Sequence, residues 1–249
     1  MGGSRAGPVL VAEFAGSAML VSVVVGSGIA ARQLSPNDAG LQLLENSIAT
    51  ALGLGVLILA FGPVSGAHFN PVVSVADWVL GRRSETGLST RLLCLYVAVQ
   101  TLGAIAGAIL ANVMFDRPAV EMASRQRASV GHFIAEVVAT AGLIVVVFAL
   151  ARTGRAGLSA AAVGAYIGAA YWFTSSTSFA NPAVTVGRMF SDTFAGIAPA
   201  SVAPFIAAQI VGGLIGLVIT VYLYPDAGHS ADQAVVPHRQ PDNSDVEPT

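Results

Sequence analysis

Two Asn-Pro pairs, Asn70-Pro71 and Asn181-Pro182, carry the chemistry open to this chain, and that chemistry is recognition rather than bond making. Asn is a favoured N-cap and Pro is favoured at the first helical position, so each pair predicts a helix start with an amide at its tip. The stretch Asn70-Pro71-Val72-Val73-Ser74-Val75 matches Asn181-Pro182-Ala183-Val184-Thr185-Val186 in four of six positions. At about nine residues and about 1.5 Å per residue, helices starting there are far too short to cross a bilayer. Yet the stretch around the second pair, Ala156 to Gly187, contains no Asp, Glu, Lys or Arg. Two half-helices that face one another within a membrane satisfy both observations. Backbone without helical pairing is tolerated at that depth only where it is buried in protein or lines a wet cavity, which points to a pore. Each half-helix N-terminus carries about half a positive charge, so the centre repels cations, hydronium included. Asn70 and Asn181 would each cap a helix while offering NH2 donors to a passing water or hydroxyl. A single Asn-Pro pair would mark an ordinary helix start; two in register within a repeat favour the pore.

The remaining polar residues have narrower uses. Glu13 and Glu136 lie in apolar runs, where carboxylates are functional by default, as gating or proton-linked acids. His68 either lines or gates a vestibule on protonation or serves structure, and the two readings stand level. Gln100 and Gln209 read as interhelical hydrogen-bonding residues. Gly103, Gly107, Gly212, Gly213 and Gly216 read as close helix-packing positions, and Tyr171-Trp172 as an interfacial aromatic pair. The single cysteine, Cys94, offers neither an internal disulfide nor a zinc site. With no metal-ligand cluster and no nucleophile–base pair, the sequence supports no enzyme, and no cofactor or metal is expected.

These residues must be positioned by membrane helices. The 249 residues are 54% hydrophobic and only 10% charged, with a mean hydropathy of +0.71, which is too apolar for an ordinary soluble domain. There is no Lys, and the twelve Arg are scattered, so no nucleic-acid surface is expected. Long apolar runs predict six spans: Val9 to Ala30, Leu41 to Phe61, Leu92 to Phe115, His132 to Leu150, Leu158 to Phe173 and Val202 to Tyr224. The first reads as a retained span rather than a cleaved signal peptide. Gly62-Pro63-Val64-Ser65-Gly66 should break the second span ahead of the first half-helix, Pro71 to about Val79. Residues 1–8 are an N-terminal cytoplasmic segment, 9–225 a single channel domain, and 226–249 a polar tail expected to be disordered.

The channel domain is duplicated, with halves at 9–115 and 131–225. Ala12-Glu13 recurs as Ala135-Glu136 at an offset of 123, Asn70 as Asn181 at 111, and Gln100 as Gln209 at 109. Three spans per half is an odd number, so the second half enters the membrane from the opposite side, as an inverted repeat. With both termini inside, seven Arg are cytoplasmic and five (Arg32, Arg117, Arg125, Arg127, Arg188) are outside, in the sense of the positive-inside rule.

From Val9 to Tyr224 the chain resembles an aquaporin or aquaglyceroporin of the major intrinsic protein family. Ser65-Gly66-Ala67-His68-Phe69-Asn70-Pro71-Val72, Asn181-Pro182-Ala183, Glu13, Glu136, Gln100 and Gln209 carry the resemblance. It implies an all-α membrane protein with six tilted helices and two half-helices per subunit, one pore in each subunit, and a homotetramer in the cell membrane. It also turns Glu13 and Glu136 into buried acceptors that hold the half-helix loops. Two departures stand out. Val72 occupies a position where the family has Ala, and Val184 occupies the position of the family's filter Arg. An ungapped count places the rest of the filter at Thr50, Ala169 and Ser178; small gaps would move Thr50 to Leu52 or Ala169 to Tyr171. Arg188, one turn beyond Val184, is either a donor at the outer mouth or an interfacial snorkelling side chain, and the second reading is favoured.

A filter of Thr, Ala, Ser and Val should be wide and without fixed charge, which favours neutral solutes larger than water. The expected function is a passive channel for water, glycerol-like polyols and, by resemblance to a branch associated with arsenic-resistance operons, arsenite or methylated arsenicals. A water-selective aquaporin is the alternative. An ion-coupled secondary transporter stands behind it, because inverted repeats with broken helices also serve alternating access. A non-conducting scaffold is the last.

Overall fold

Inside a bilayer every backbone N–H and C=O must find a partner within the protein, so an apolar stretch of about 20 residues settles as a helix. The computed structural model describes residues 6–82 and 87–225. Six helices there are long and apolar enough to cross a membrane: α1 (Ala6–Leu34), α2 (Ala39–Ser65), α4 (Thr90–Met114), α5 (Val130–Arg152), α6 (Ser159–Phe173, entered through a 3-10 turn at Ala156–Leu158) and α8 (Pro199–Leu223). Two short helices complete the set, α3 (Pro71–Gly81) and α7 (Pro182–Gly187). Arg5, Arg83, Glu85, Arg239 and the acidic tail 226–249 lie outside the described residues.

Local chemistry sets the ends of the half-helices. Asn70 accepts a hydrogen bond from the Val72 N–H, Asn181 accepts from the Ala183 and Val184 N–H groups, and each is followed by Pro at the first helical position. α7 tightens into a 3-10 turn at Arg188–Phe190, so the two pieces together make the expected nine residues. The break expected over Gly62-Pro63-Val64-Ser65-Gly66 falls at its last residue: α2 runs on past Phe61, through Pro63, to Ser65. The stop is Gly66, whose φ of 83° lets the chain turn left-handed while its N–H closes on the Gly62 carbonyl at 2.8 Å.

The packing is mirrored between the halves. α1 lies against α4 and α2 as α5 lies against α8 and α6, while α2 meets α6 across the pseudo-two-fold. The closest approaches repeat residue for residue. A Cβ at Gly103 or Gly107 would collide with the carbonyl of Phe14 or Ala18, and one at Gly212 or Gly216 with that of Val137 or Ala141. Those pairs are related by the offsets of 109 and 123 seen in the sequence. Lipid tails are as apolar as Leu, so these helices hold together by close backbone contact rather than by hydrophobic burial. Gly107→Leu should therefore wedge α1 from α4 and lower the thermal unfolding midpoint of the detergent-solubilised protein by the equivalent of about 1–3 kcal/mol. Leu110→Ala, on the half-exposed face of the same helix, should leave it nearly unchanged.

Candidate functional site

The half-helices are held at membrane depth by two buried carboxylates. Glu13 Oε1 accepts from Ser65 Oγ (2.6 Å) and the His68 N–H (3.0 Å), and its Oε2 accepts from the Phe69 N–H (2.8 Å) and Gln100 Nε2 (2.7 Å). Glu136 repeats the pattern, with the Phe179 and Ala180 N–H groups at 2.8 Å and Gln209 Nε2 at 2.7 Å. Each Gln also donates to a half-helix hydroxyl, Gln100 to Ser74 Oγ and Gln209 to Thr185 Oγ1. A trans peptide points its N–H and C=O in opposite directions. Pinning the amides of residues 68, 69, 179 and 180 to the carboxylates therefore turns the carbonyls of Ala67, His68, Ser178 and Phe179 the other way, toward the lumen that these four residues line. The backbone is strained to achieve this: Ala67, Phe69, Ser178 and Ala180 have φ of 51°, 48°, 46° and 48°. Such conformations cost about 1–3 kcal/mol each and are held only where the surroundings impose them.

The two loops also hold each other. Asn70 Nδ2 donates to the Ala180 carbonyl and Asn181 Nδ2 to the Phe69 carbonyl, both at 2.8 Å. One N–H of each amide is thus engaged across the junction, leaving the second for the lumen that both residues line. Of the six residues expected at the constriction, these two line it. Pro71, Val72, Pro182 and Ala183 do not, because the first helical positions project sideways from the tip. Val72 instead packs on α8, where a Cβ at Gly213 would lie 2.5 Å from Val72 Cγ1. The larger side chain of the first pair is matched by the absence of one at Gly213.

Four helices complete the lumen with stripes of i, i+4 spacing: Leu20 and Val24 from α1; Thr50, Leu54 and Ile58 from α2; Leu143 and Val147 from α5; Val163, Ile167 and Tyr171 from α6. Val73 and Val184, one turn into each half-helix, are repeat mates and both face the lumen. The cavity volume is about 60 Å³, room for roughly four to six waters at ~10–15 Å³ each. No Asp or Glu is among its lining residues.

At the Arg188 end one position of the expected ring, Ala169, gives way to its gapped alternative Tyr171, and the favoured reading of Arg188 is corrected as well. Thr50, Ser178 and Val184 line the lumen, but Ala169 is exposed on the outer surface of α6. It lies two residues from both Ile167 and Tyr171 and so points away from their stripe; Tyr171 takes the place, its hydroxyl 3.1 Å from Thr50 Oγ1. Leu52, the gapped alternative to Thr50, is 67% exposed. Arg188 is not an interfacial snorkelling side chain. It is buried at 2% exposure, lines the lumen, donates from Nε to the Ala195 carbonyl (2.5 Å), and lies 3.4 Å over the Phe179 ring. The reason is the segment 191–198, which folds back over α7 and buries Ala195, Ile197 and Ala198. At the other end His68 lines the lumen, with Nδ1 3.1 Å from Ser74 Oγ and its ring edge-on to Tyr96.

Two residues escaped the sequence reading. Phe179 is the repeat mate of His68 at the Asn-Pro offset of 111, a register that could have found it. Arg127 gave no local signal. It reaches from the 116–129 loop to the carbonyls of Ser176, Phe194 and Gly196 and lies 5.1 Å over Phe179. Burial, then the charges of Arg188 and Arg125, push its pKa well below the usual arginine value.

The profile of the family described as Major intrinsic protein matches residues 6–179. The chain belongs to the major intrinsic protein family. It is therefore a multi-pass membrane channel protein and not an enzyme. The chain is 44% identical to "Aquaglyceroporin AqpS" of Rhizobium meliloti (strain 1021) over 217 residues, 87% of this chain and 90% of that protein. It is 32% identical to "Glycerol uptake facilitator protein" of Pseudomonas aeruginosa over 167 residues, 58% of this chain and 57% of that protein. The crystal structure of the aquaglyceroporin from Plasmodium falciparum superposes with a TM-score of 0.63 at 17% identity, covering 88% of this chain and 98% of that one, a likeness of fold.

The carboxylate clamps are testable. Glu136→Gln can still accept from two of the three donors, but its new NH2 faces a backbone N–H, stranding one buried donor at a cost of about 1–3 kcal/mol. Glu136→Ala strands all three. Thermal unfolding of the solubilised protein should rank wild type above Gln above Ala, and water permeability of reconstituted vesicles should fall in the same order.

Proposed function

We propose that this member of the family is a passive, gradient-driven channel for small neutral solutes: water, glycerol-like polyols, and the neutral hydroxides of similar size and hydroxyl character, arsenite or methylated arsenicals. The observation that carries this reading is Val184. The position one turn inside the second half-helix presents an apolar side chain to the lumen, as its repeat mate Val73 does, so no fixed cation closes the bore there. Thr50, Ser178 and Tyr171 supply the polar part of the ring, and the amides of Asn70 and Asn181 supply the central donors. The names of the two relatives above favour polyol conduction. The apolar faces of the six helices suit lipid as a partner, and in this reading the chain lies in the cell membrane with both termini on the cytoplasmic side, the Arg188 end outward, and the subunits assembled as a homotetramer.

A water-selective channel is the second reading. It is favoured by Tyr171 and Arg188, two large side chains at the outer end of a lumen of only about 60 Å³. Stopped-flow light scattering on proteoliposomes separates the two. For a solute channel, shrinkage in an impermeant osmolyte is followed by fast re-swelling with glycerol, and then with arsenite; fast water movement without solute influx would establish the water channel instead. Val184→Arg should cut glycerol influx much more than water flux. Asn181→Leu should nearly abolish both while membrane insertion is retained.

A further inference from the structure

The outer lumen contains a buried cation whose hydrogen-bonding capacity the protein does not use up. Arg188 is 2% exposed, and its one side-chain hydrogen bond within the protein runs from Nε to the Ala195 carbonyl. Its two terminal nitrogens, Nη1 and Nη2, have no protein acceptor among the described residues, and no carboxylate lines the lumen beside them. The Arg188 Cζ lies over the Phe179 ring, 3.4 Å from its centroid, and this contact together with the Nε bond restrains the guanidinium. Close by, Ser178 Oγ is buried without a hydrogen-bond partner, and the Thr50 and Tyr171 hydroxyls bond only to one another. A desolvated cation and a desolvated hydroxyl left unsatisfied are both unfavourable, and Arg188 and Ser178 both line the lumen.

We propose that Arg188, rather than the residue at position 184, is the specificity-determining cation of this channel, and that with Ser178 and the Thr50–Tyr171 pair it forms a station selecting solutes with two adjacent oxygens. The proposal rests on the solute-channel reading above. A planar guanidinium presents paired N–H donors in a fixed fork, which fits two oxygens on neighbouring atoms better than two oxygens held further apart. Val184, one turn inward of Arg188, is apolar, so the preferred solute is compact, uncharged and amphipathic: a vicinal diol, or a hydroxide with oxygens on one face. The cation stands four residues beyond Val184, and this leaves an apolar collar between the outer station and the central Asn70 and Asn181 donors. Binding is then divided between two sites, as conduction requires if neither is to hold the solute too tightly.

The competing account is that Arg188 serves only to pin the 191–198 segment. It has force because the repeat mate of Arg188, at the offset of 111, is Asp77, whose Oδ2 accepts from the Leu88 N–H and so ties down the segment after α3. Asp77, however, does not line the lumen, and Arg188 does.

The deciding experiment compares 1,2-propanediol and 1,3-propanediol influx into proteoliposomes by stopped-flow, each corrected for protein-free vesicles. The isomers are equal in size, so a loss of folded protein or a change of bore scales both alike. The wild type is expected to favour the 1,2-isomer, and Arg188→Ala to bring the ratio toward one, a loss of about tenfold, the lower end of the scale of one hydrogen bond to a charged group. Arg188→Lys, which keeps the charge without the fork, should fall between them. If Arg188→Ala fails to insert, Arg188→Gln, whose amide can still donate to the Ala195 carbonyl, carries the same expectation. An unchanged isomer ratio in a conducting Arg188 variant, or a wild type without isomer preference, overturns the proposal and leaves the solute channel standing. Water flux with neither diol entering overturns both.

Discussion

The structure depends on two carboxylates that accept hydrogen bonds from the backbone of loops that have no helix or sheet to satisfy them. Glu13 and Glu136 are both fully buried, and each is surrounded by donors. Without them the amides of residues 68, 69, 179 and 180 would be orphaned at membrane depth, and the left-handed residues beside those amides would relax. With them, one side of each loop is saturated and the opposite side is left with its carbonyls toward the lumen. The reciprocal bonds from Asn70 and Asn181 then lock the loops to one another. A permeation path of fixed polarity follows from bonds that never touch the solute.

Around that centre the duplicated unit is followed closely in the walls and abandoned at the ends. Leu20 and Val24 pair with Leu143 and Val147, Leu54 and Ile58 with Val163 and Ile167, and Val73 with Val184, each at its own constant offset. An apolar wall carries no directional information, so both halves can use the same solution. At the ends the mates differ in kind: His68 against Phe179, Ala67 against Ser178, and Asp77 against Arg188. A channel symmetrical throughout would meet solute identically from both sides. The differences give the Arg188 end a fixed cation on an aromatic face and the other end a histidine beside a serine hydroxyl.

The same asymmetry gathers three arginines on one short segment. Arg125, Arg188 and Arg127 donate to the consecutive carbonyls of Phe194, Ala195 and Gly196, and Arg127 and Arg188 both lie over Phe179. Among the described residues Arg127 and Arg188 have no carboxylate partner, and the ion pair formed on this surface, Arg117 with Glu121, stands at its periphery. Backbone carbonyl dipoles and an aromatic face thus take the place of direct counter-ions for Arg127 and Arg188.

The sequence by itself determined the six spans, the two half-helices and their duplication, because each rests on local rules, while the anchoring role of Glu13 and Glu136 came from the family resemblance. Apolar runs of sufficient length must be helices in lipid, Asn-Pro must start a helix, and constant offsets between motifs must mean a repeat. The same resemblance, counted without gaps, put Thr50, Ser178 and Val184 at one end of the lumen. What only the tertiary structure decided was direction. Ala169 and Tyr171 differ by two residues, and nothing local states which of them faces inward until α6 is packed on α2. Within the break expected over Gly62 to Gly66, it is Gly66, the residue that turns left-handed, and not Pro63 that ends the helix. Arg188 looked like a side chain bound for the interface, because the segment that folds back to bury it lies downstream and has no pattern of its own. Side-chain placement at a pore mouth depends on which distant loop covers it, and that contact exists only once the chain has folded.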